Sequence, residues 1–120
     1  MSRPVHFEIH GEDPWKASEF YREVFGWQVS KWGDQDYWLF ETGDGPGIDG
    51  ASAPTQEHGQ KVVLTMETDD LDEAVDRVRQ AGGSVLLARA PIPGVGWLAQ
   101  ALDPNGVLIG IMQPDESAGA

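Results

Sequence analysis

The chain has 120 residues, enough for one domain with one core and too few for several. Twenty Asp and Glu against eight Lys and Arg give a formal charge of −12, which repels a phosphate backbone, so neither nucleic acid nor an anionic membrane is an expected partner. The absence of cysteine excludes disulfides, thiol nucleophiles and thiolate zinc sites, leaves His, Asp and Glu as metal ligands, and makes a reducing cytoplasm the default compartment.

Met1-Ser2-Arg3-Pro4 leads directly into an alternating segment, with no apolar run of the roughly 7–15 residues of an export signal and none near the ~18 of a membrane span. Val5, Phe7 and Ile9 alternate with His6, Glu8 and His10, which predicts a strand with one apolar and one polar face. His10, next to Gly11, reads as a loop residue. Asp13-Pro14 then supplies a cap and a first-turn proline for a helix with Ala17, Phe20, Tyr21, Val24 and Phe25 at helical spacing, stopped by Gly26. The helix aromatics are expected in the core. Residues 27–32 and 37–42 predict a hairpin around Gly33-Asp34-Gln35-Asp36, and residues 48–53 a weaker strand inside the glycine-rich stretch 43–59.

The second half repeats this order. Val62, Leu64 and Met66 alternate with Val63, Thr65 and Glu67, and Asp69-Asp70 cap a helix with Leu71, Ala74, Val75 and Val78 on one face, ending at Gly82-Gly83. A constant offset of 57 residues carries Val5, Phe7 and Ile9 onto Val62, Leu64 and Met66, Arg22 onto Arg79 and Gly26 onto Gly83. Strands follow at 84–87, 97–102 and 107–112, the last two joined by Asp103-Pro104-Asn105-Gly106, with a loop at 90–96 and a fraying tail at 115–120. The acids at 69–76 suit a helix amino terminus and a solvated face.

The expected fold is α+β: two βαβββ modules related by pseudo-two-fold symmetry, forming a curved mixed sheet around a cavity. Module one spans 4–53, a loop 54–60, module two 61–113 and a tail 114–120. The polar face of the first strand is expected to look into the cavity.

Residues 4–113 resemble the vicinal oxygen chelate superfamily of glyoxalases, extradiol dioxygenases, fosfomycin-resistance thiol transferases and bleomycin-binding proteins. The resemblance rests on His6-Phe7-Glu8, the run from Glu19 to Trp27, the run from Asp69 to Ala74, Ala81-Gly82-Gly83, and Asp103-Pro104-Asn105-Gly106. These motifs are specific for fold and far less so for reaction. In catalytic members a metal is held by the first and last strand of each module. The resemblance puts those positions at His6, Asp49, Val63 and Gly110, and two of the four carry no donor. Sites for divalent ions need three or more protein donors, so the expectation is no strong metal site; zinc, nickel, iron and manganese are the candidate ions at His6 and Asp49, with Glu8, or more remotely Glu67 or His58, as a third ligand.

Two functions follow. One is a divergent lyase- or dioxygenase-type enzyme that moves a proton next to a carbonyl, with His6 and Glu8 as catalytic groups. The other is a ligand-sequestering protein of bleomycin-resistance type that holds a flat or cationic small molecule. Tyr37, Trp38, Trp97 and Asp49 are the expected ligand contacts; alternation puts Tyr37 and Trp38 on opposite faces, and Trp97 follows a glycine loop as a stacking residue or mobile lid. Trp27 is expected to pack beneath the helix. The resemblance further implies a homodimer.

Overall fold

The structure, a computed structural model, describes residues 2–120. Its elements are β1 (Pro4–Gly11), α1 (Pro14–Phe25), β2 (Gln28–Lys31), β3 (Trp38–Glu41), β4 (Asp49–Pro54), β5 (Val62–Glu67), α2 (Leu71–Gln80), β6 (Ser84–Ile92), β7 (Gly96–Leu102) and β8 (Leu108–Pro114). The order is βαβββ twice, a mixed α+β architecture. No helix among the described residues is long and apolar enough to cross a membrane.

The chain divides into two compact units. The first is His6–Val63, and the second joins the described residues up to Val5 to Leu64–Ala120. In the first unit the strands run β2-β3-β4-β1, with β1 parallel to β4 and the other pairs antiparallel. In the second they run β5-β8-β7-β6, again with one parallel pair, β5 with β8.

Local chemistry accounts for both helices. Asp13 accepts a hydrogen bond from the Lys16 amide at 3.0 Å and Pro14 fills the first turn, where its missing N–H is no loss. Gly26 ends α1 at φ 75°, a left-handed conformation that glycine adopts without strain, and its amide reaches the Arg22 carbonyl. Asp70 caps α2 through the Glu73 amide at 3.1 Å.

In the first unit α1 lies over an aromatic core. Tyr21 stacks on Trp27 at 5.3 Å between ring centroids, and both rings meet Phe40, which is 1% exposed. Phe7 packs against Trp27 and Phe40 from β1. Gly50 gives that ring its room, because a Cβ there would come within 2.5 Å of the Phe7 carbonyl oxygen and ring. Strand pleating then turns His6, Glu8 and His10 to the opposite face, which fixes the position of the site.

The expectation of core aromatics on α1 holds for Tyr21 alone. Phe20, Val24 and Phe25 are 56%, 55% and 60% exposed, while Pro14 and Ser18 are buried. Helical spacing identified the helix, but the buried stripe is set by the i, i+4 pair Pro14 and Ser18 and runs through Ala17 and Tyr21, one column away from the exposed aromatics.

In the second unit Leu71, Val75, Ala99 and Ile111 form the buried core, with Ala74, Val78, Val85, Trp97 and Ile109 packed against it. Two expectations are corrected here. The segment from Ala90 is strand, not loop: Ala90, Pro91 and Ile92 pair with Leu98, Trp97 and Gly96. Because β6 ends its ladder, the proline's missing N–H disrupts no further pairing. The tail does not fray: the Asp115 amide bonds the Val95 carbonyl, the Gly94 amide bonds the Ala118 carbonyl, and Ala118 is 2% exposed.

Candidate functional site

His6, Glu8 and His10 lie on the polar face of β1, and Tyr37, just before β3, reaches them across the first unit. The Tyr37 hydroxyl donates to Glu8 Oε2 at 2.7 Å. The Tyr37 hydroxyl oxygen lies 2.8 Å from His6 Nε2, and since Tyr37 has spent its one proton on Glu8, His6 must be the donor. His6 is therefore the Nε2–H tautomer with its lone pair on Nδ1. On the other side His10 Nε2 donates to Glu8 Oε1 at 2.8 Å. The result is a directed network in which His6 donates to Tyr37, and Tyr37 and His10 both donate to the Glu8 carboxylate.

Electrostatics reinforce this arrangement. Burial holds the His6 pKa below its ordinary 6.5, opposed by the negative charges of Glu8 and Asp49, so the ring is neutral at pH 7. Burial, the charge on Glu8 and the hydrogen bond to it push the Tyr37 pKa far up, so Tyr37 keeps its proton. His10 is 4% exposed and its Nδ1 is buried with no hydrogen-bond partner. The His58 ring lies over it at 5.4 Å, held by an Nδ1 bond from the Gln60 amide.

The other sequence-derived candidates fall in different places. Asp49 stands opposite His6 in the β1–β4 register, and its Oδ1 accepts from the amide and hydroxyl of Thr42. It lines a cleft of about 400 Å³ with Gln28, Glu41 and Asp44. Trp38 is on the α1 side, its ring 4.6 Å from Trp15 and under the Lys31 ammonium, so the structure does not bring it to Tyr37 and His6. Trp97 belongs to the second unit; it packs on the core, carries the Arg89 guanidinium 4.4 Å from its centroid and donates Nε1–H to Asp115. Its strand and these contacts give it the position of a core residue rather than a lid. Glu67 is likewise in the second unit, lining a cleft of about 560 Å³ with Arg3 and Arg77.

His10 is the residue that the sequence reading misplaced. It is the seventh residue of an eight-residue strand, not a loop residue, and period two from His6 and Glu8 already put it on their face.

The donors present do not fit a divalent ion. Both Glu8 oxygens are engaged by Tyr37 and His10, which leaves His6 and Asp49, and no group of three His, Asp or Glu among the described residues is disposed to hold a metal. Val63, the last residue of the first unit, is buried, and in the second unit Gly110 stands opposite Thr65. A Cβ on Gly110 would lie 2.7 Å from Thr65 Oγ1, so Thr65 already fills the space that a ligand side chain would need.

Comparison with known proteins agrees with this fold. The Glyoxalase/Bleomycin resistance protein/Dioxygenase superfamily profile matches residues 3–111. The anthracycline biosynthesis protein DnrV of Streptomyces peucetius is 27% identical, over 98% of this chain and 49% of the relative, so the chain spans about half the length of that protein. Among solved structures, a superfamily member from Vibrio splendidus 12B01 has a TM-score of 0.71 at 20% identity, covering 94% of this chain and 99% of the other. Methylmalonyl-CoA epimerase from Mycobacterium tuberculosis has a TM-score of 0.73 at 20% identity, covering 93% and 87%. The likeness to these structures is one of fold. With its profile match spanning nearly the whole sequence, the chain belongs to the Glyoxalase/Bleomycin resistance protein/Dioxygenase superfamily.

Proposed function

We propose that the protein binds a small molecule at the polar face of β1 and moves a proton on it, as an acid–base enzyme of lyase or isomerase type with His6 Nδ1 as the base. The observation that carries this reading is the tautomer: Tyr37 and Glu8 orient the His6 N–H inward and leave Nδ1 with its lone pair.

The network also gives the proton a destination. When Nδ1 takes a proton from a carbon next to a carbonyl, the Nε2 proton passes to the Tyr37 oxygen and the Tyr37 proton to Glu8 Oε2. All three groups stay hydrogen-bonded, His6 remains neutral as burial requires, and the negative charge leaves Glu8 for the enolate as the carboxylate becomes a carboxylic acid. The new Nδ1–H then faces the enolate it created. Return of the proton to the same or a neighbouring atom completes an epimerisation or isomerisation.

The test is deuterium incorporation from D2O into hydroxyacetone and 2-hydroxyacetophenone, followed by NMR for the wild type and His6→Ala. Exchange above the buffer rate in the wild type, lost in the variant, is expected. Absence of exchange with both ketones overturns the enzymatic reading for α-hydroxy carbonyl compounds.

A second reading, sequestration without chemistry, has one observation behind it. Each N–H and O–H of the network is already given to Tyr37 or Glu8, so the resting network offers an enolate oxygen no donor until His6 Nδ1 has taken the substrate proton. Ligand binding at His6 without deuterium exchange would select that reading.

A further inference from the structure

The hydrogen-bond inventory of the β1 face points to one class of ligand. The three protons that could have faced outward are spent inside: His6 Nε2–H on Tyr37, Tyr37 O–H on Glu8, and His10 Nε2–H on Glu8. What remains is acceptor capacity: the lone pair of His6 Nδ1, the second lone pair on each Glu8 oxygen that already accepts one hydrogen bond, and the Asp49 carboxylate across the register from His6. Of the basic groups of the first unit, Lys31 sits over Trp38 on the α1 side, and Lys16 and Arg22 belong to α1 itself.

His10 adds an independent observation. Its side chain is 2% exposed, yet Nδ1 has no partner beneath the His58 ring. A buried lone pair left without a donor is costly, and it adds one more acceptor to a face already short of donors.

We infer that this face takes its ligand by hydrogen-bond donors, so that the ligand is a neutral or cationic molecule presenting an O–H or N–H to His6 Nδ1 and the neighbouring carboxylates, and not a carboxylate, phosphate or acyl-CoA. The inference rests on the reading that the β1 face is the ligand site. A hydroxyl or ammonium group meets complementary acceptors there. An anion meets two carboxylates and none of the protons of His6, Tyr37 or His10, so these groups do not replace its hydration. This separates the chain from the methylmalonyl-CoA epimerases that share its fold, whose named substrate is anionic.

The test uses 15N-labelled wild-type protein, with the His6 and His10 imidazole nitrogens followed while resorcinol, benzylamine, 1,3-dimethoxybenzene and methylmalonyl-CoA are added separately. Resorcinol and benzylamine should shift the His6 Nδ1 resonance saturably. The dimethyl ether, alike in ring and size but without a donor, should bind about tenfold or more weakly, and methylmalonyl-CoA should leave both histidines unmoved. Equal response to resorcinol and its ether, saturation by methylmalonyl-CoA at His6, or no saturation by either donor probe at millimolar concentration would each overturn the inference. Donor binding without deuterium exchange into the ketones would keep it and remove the proton-transfer reading. Exchange into the ketones, together with binding of methylmalonyl-CoA at His6, would do the reverse.

Discussion

Tyr37→Phe isolates the network with the smallest change in shape. It deletes one oxygen, leaving the ring and its contact with Trp32 in place, and strands two groups at once: the His6 Nε2–H and Glu8 Oε2. Hydrogen bonds to a charged group contribute about 1.5–3 kcal/mol. The His6 and Glu8 side chains are 27% and 25% exposed, so water can recover part of the loss, and about 1–2 kcal/mol of destabilisation is expected, or about 4–8 °C in Tm for a domain of this size. Chemical denaturation followed by circular dichroism measures the first quantity. The second readout is more discriminating: long-range 15N–1H spectra should show His6 as one tautomer, Nε2–H, in the wild type and as a mixture in the variant, because nothing then ranks the two nitrogens. An unchanged tautomer in Tyr37→Phe, with stability within experimental error of the wild type, would refute the directed network and the base assignment built on it.

Stability should fall on acidification through His6. Its folded pKa lies below the unfolded 6.5, so the unfolded chain binds the extra proton; the contribution is complete above pH 6.5 and is lost as pH drops toward the folded value. The groups facing the ring are Glu8 and Asp49, which moderate the shift, and Tyr37, which stays neutral. Urea midpoints between about pH 7.5 and 5.5 should decline more steeply in the wild type than in His6→Gln; parallel slopes would count against a neutral buried His6. Gly50→Ala should cost about 2–3 kcal/mol in urea denaturation, since its Cβ would meet the Phe7 backbone oxygen at 2.5 Å and a carbonyl cannot rotate away; a variant of wild-type stability would show that β1 and β4 are less tightly apposed. Gly110→Ala should destabilise by about 1–2 kcal/mol and Thr65→Ala should relieve it, because the nearest obstacle is Thr65 Oγ1 at 2.7 Å. Additive effects in that double-mutant cycle would sink the claim that Thr65 fills the ligand position.

Strand parity was readable from the residues alone. It placed His6 with Glu8, and Tyr37 opposite Trp38, and the structure puts Tyr37 with His6 while Trp38 joins α1. Phase on a helix was less legible than period: Phe20, Val24 and Phe25 have helical spacing but face outward, because Ser18 and Tyr21 set the covered face. Gly11 beside His10 suggested a loop, whereas pairing with β4 carries β1 through to Gly11 opposite Pro54. Pro91 and Pro93 suggested another, and there the edge position of β6 prevailed. The repeat offset, fixed on β1 and α1, does not reach the last strand: Gly110 pairs with Thr65, two residues beyond the Val63 that the offset matches to His6. The hydrogen bonds that define the site join residues 29 and 31 positions apart, and no local pattern encodes contacts at that separation.

The small residues of β4 explain how three polar side chains fit on one face of one strand. Ala51 lies opposite Glu8 and Ala53 opposite His10, both almost fully buried, while Asp49 is the one charged group of that column, opposite His6. A larger residue at Ala51 would occupy the space into which the Glu8 carboxylate turns to meet Tyr37 and His10 together. The column thus divides the face: its alanine end lets the network close around Glu8, and its aspartate end stands beside the one ring whose lone pair is left free. The proposed proton transfer and the proposed donor recognition therefore converge on His6. Its partners act through geometry, Tyr37 by fixing the tautomer, Glu8 by holding the charge and His10 by holding Glu8.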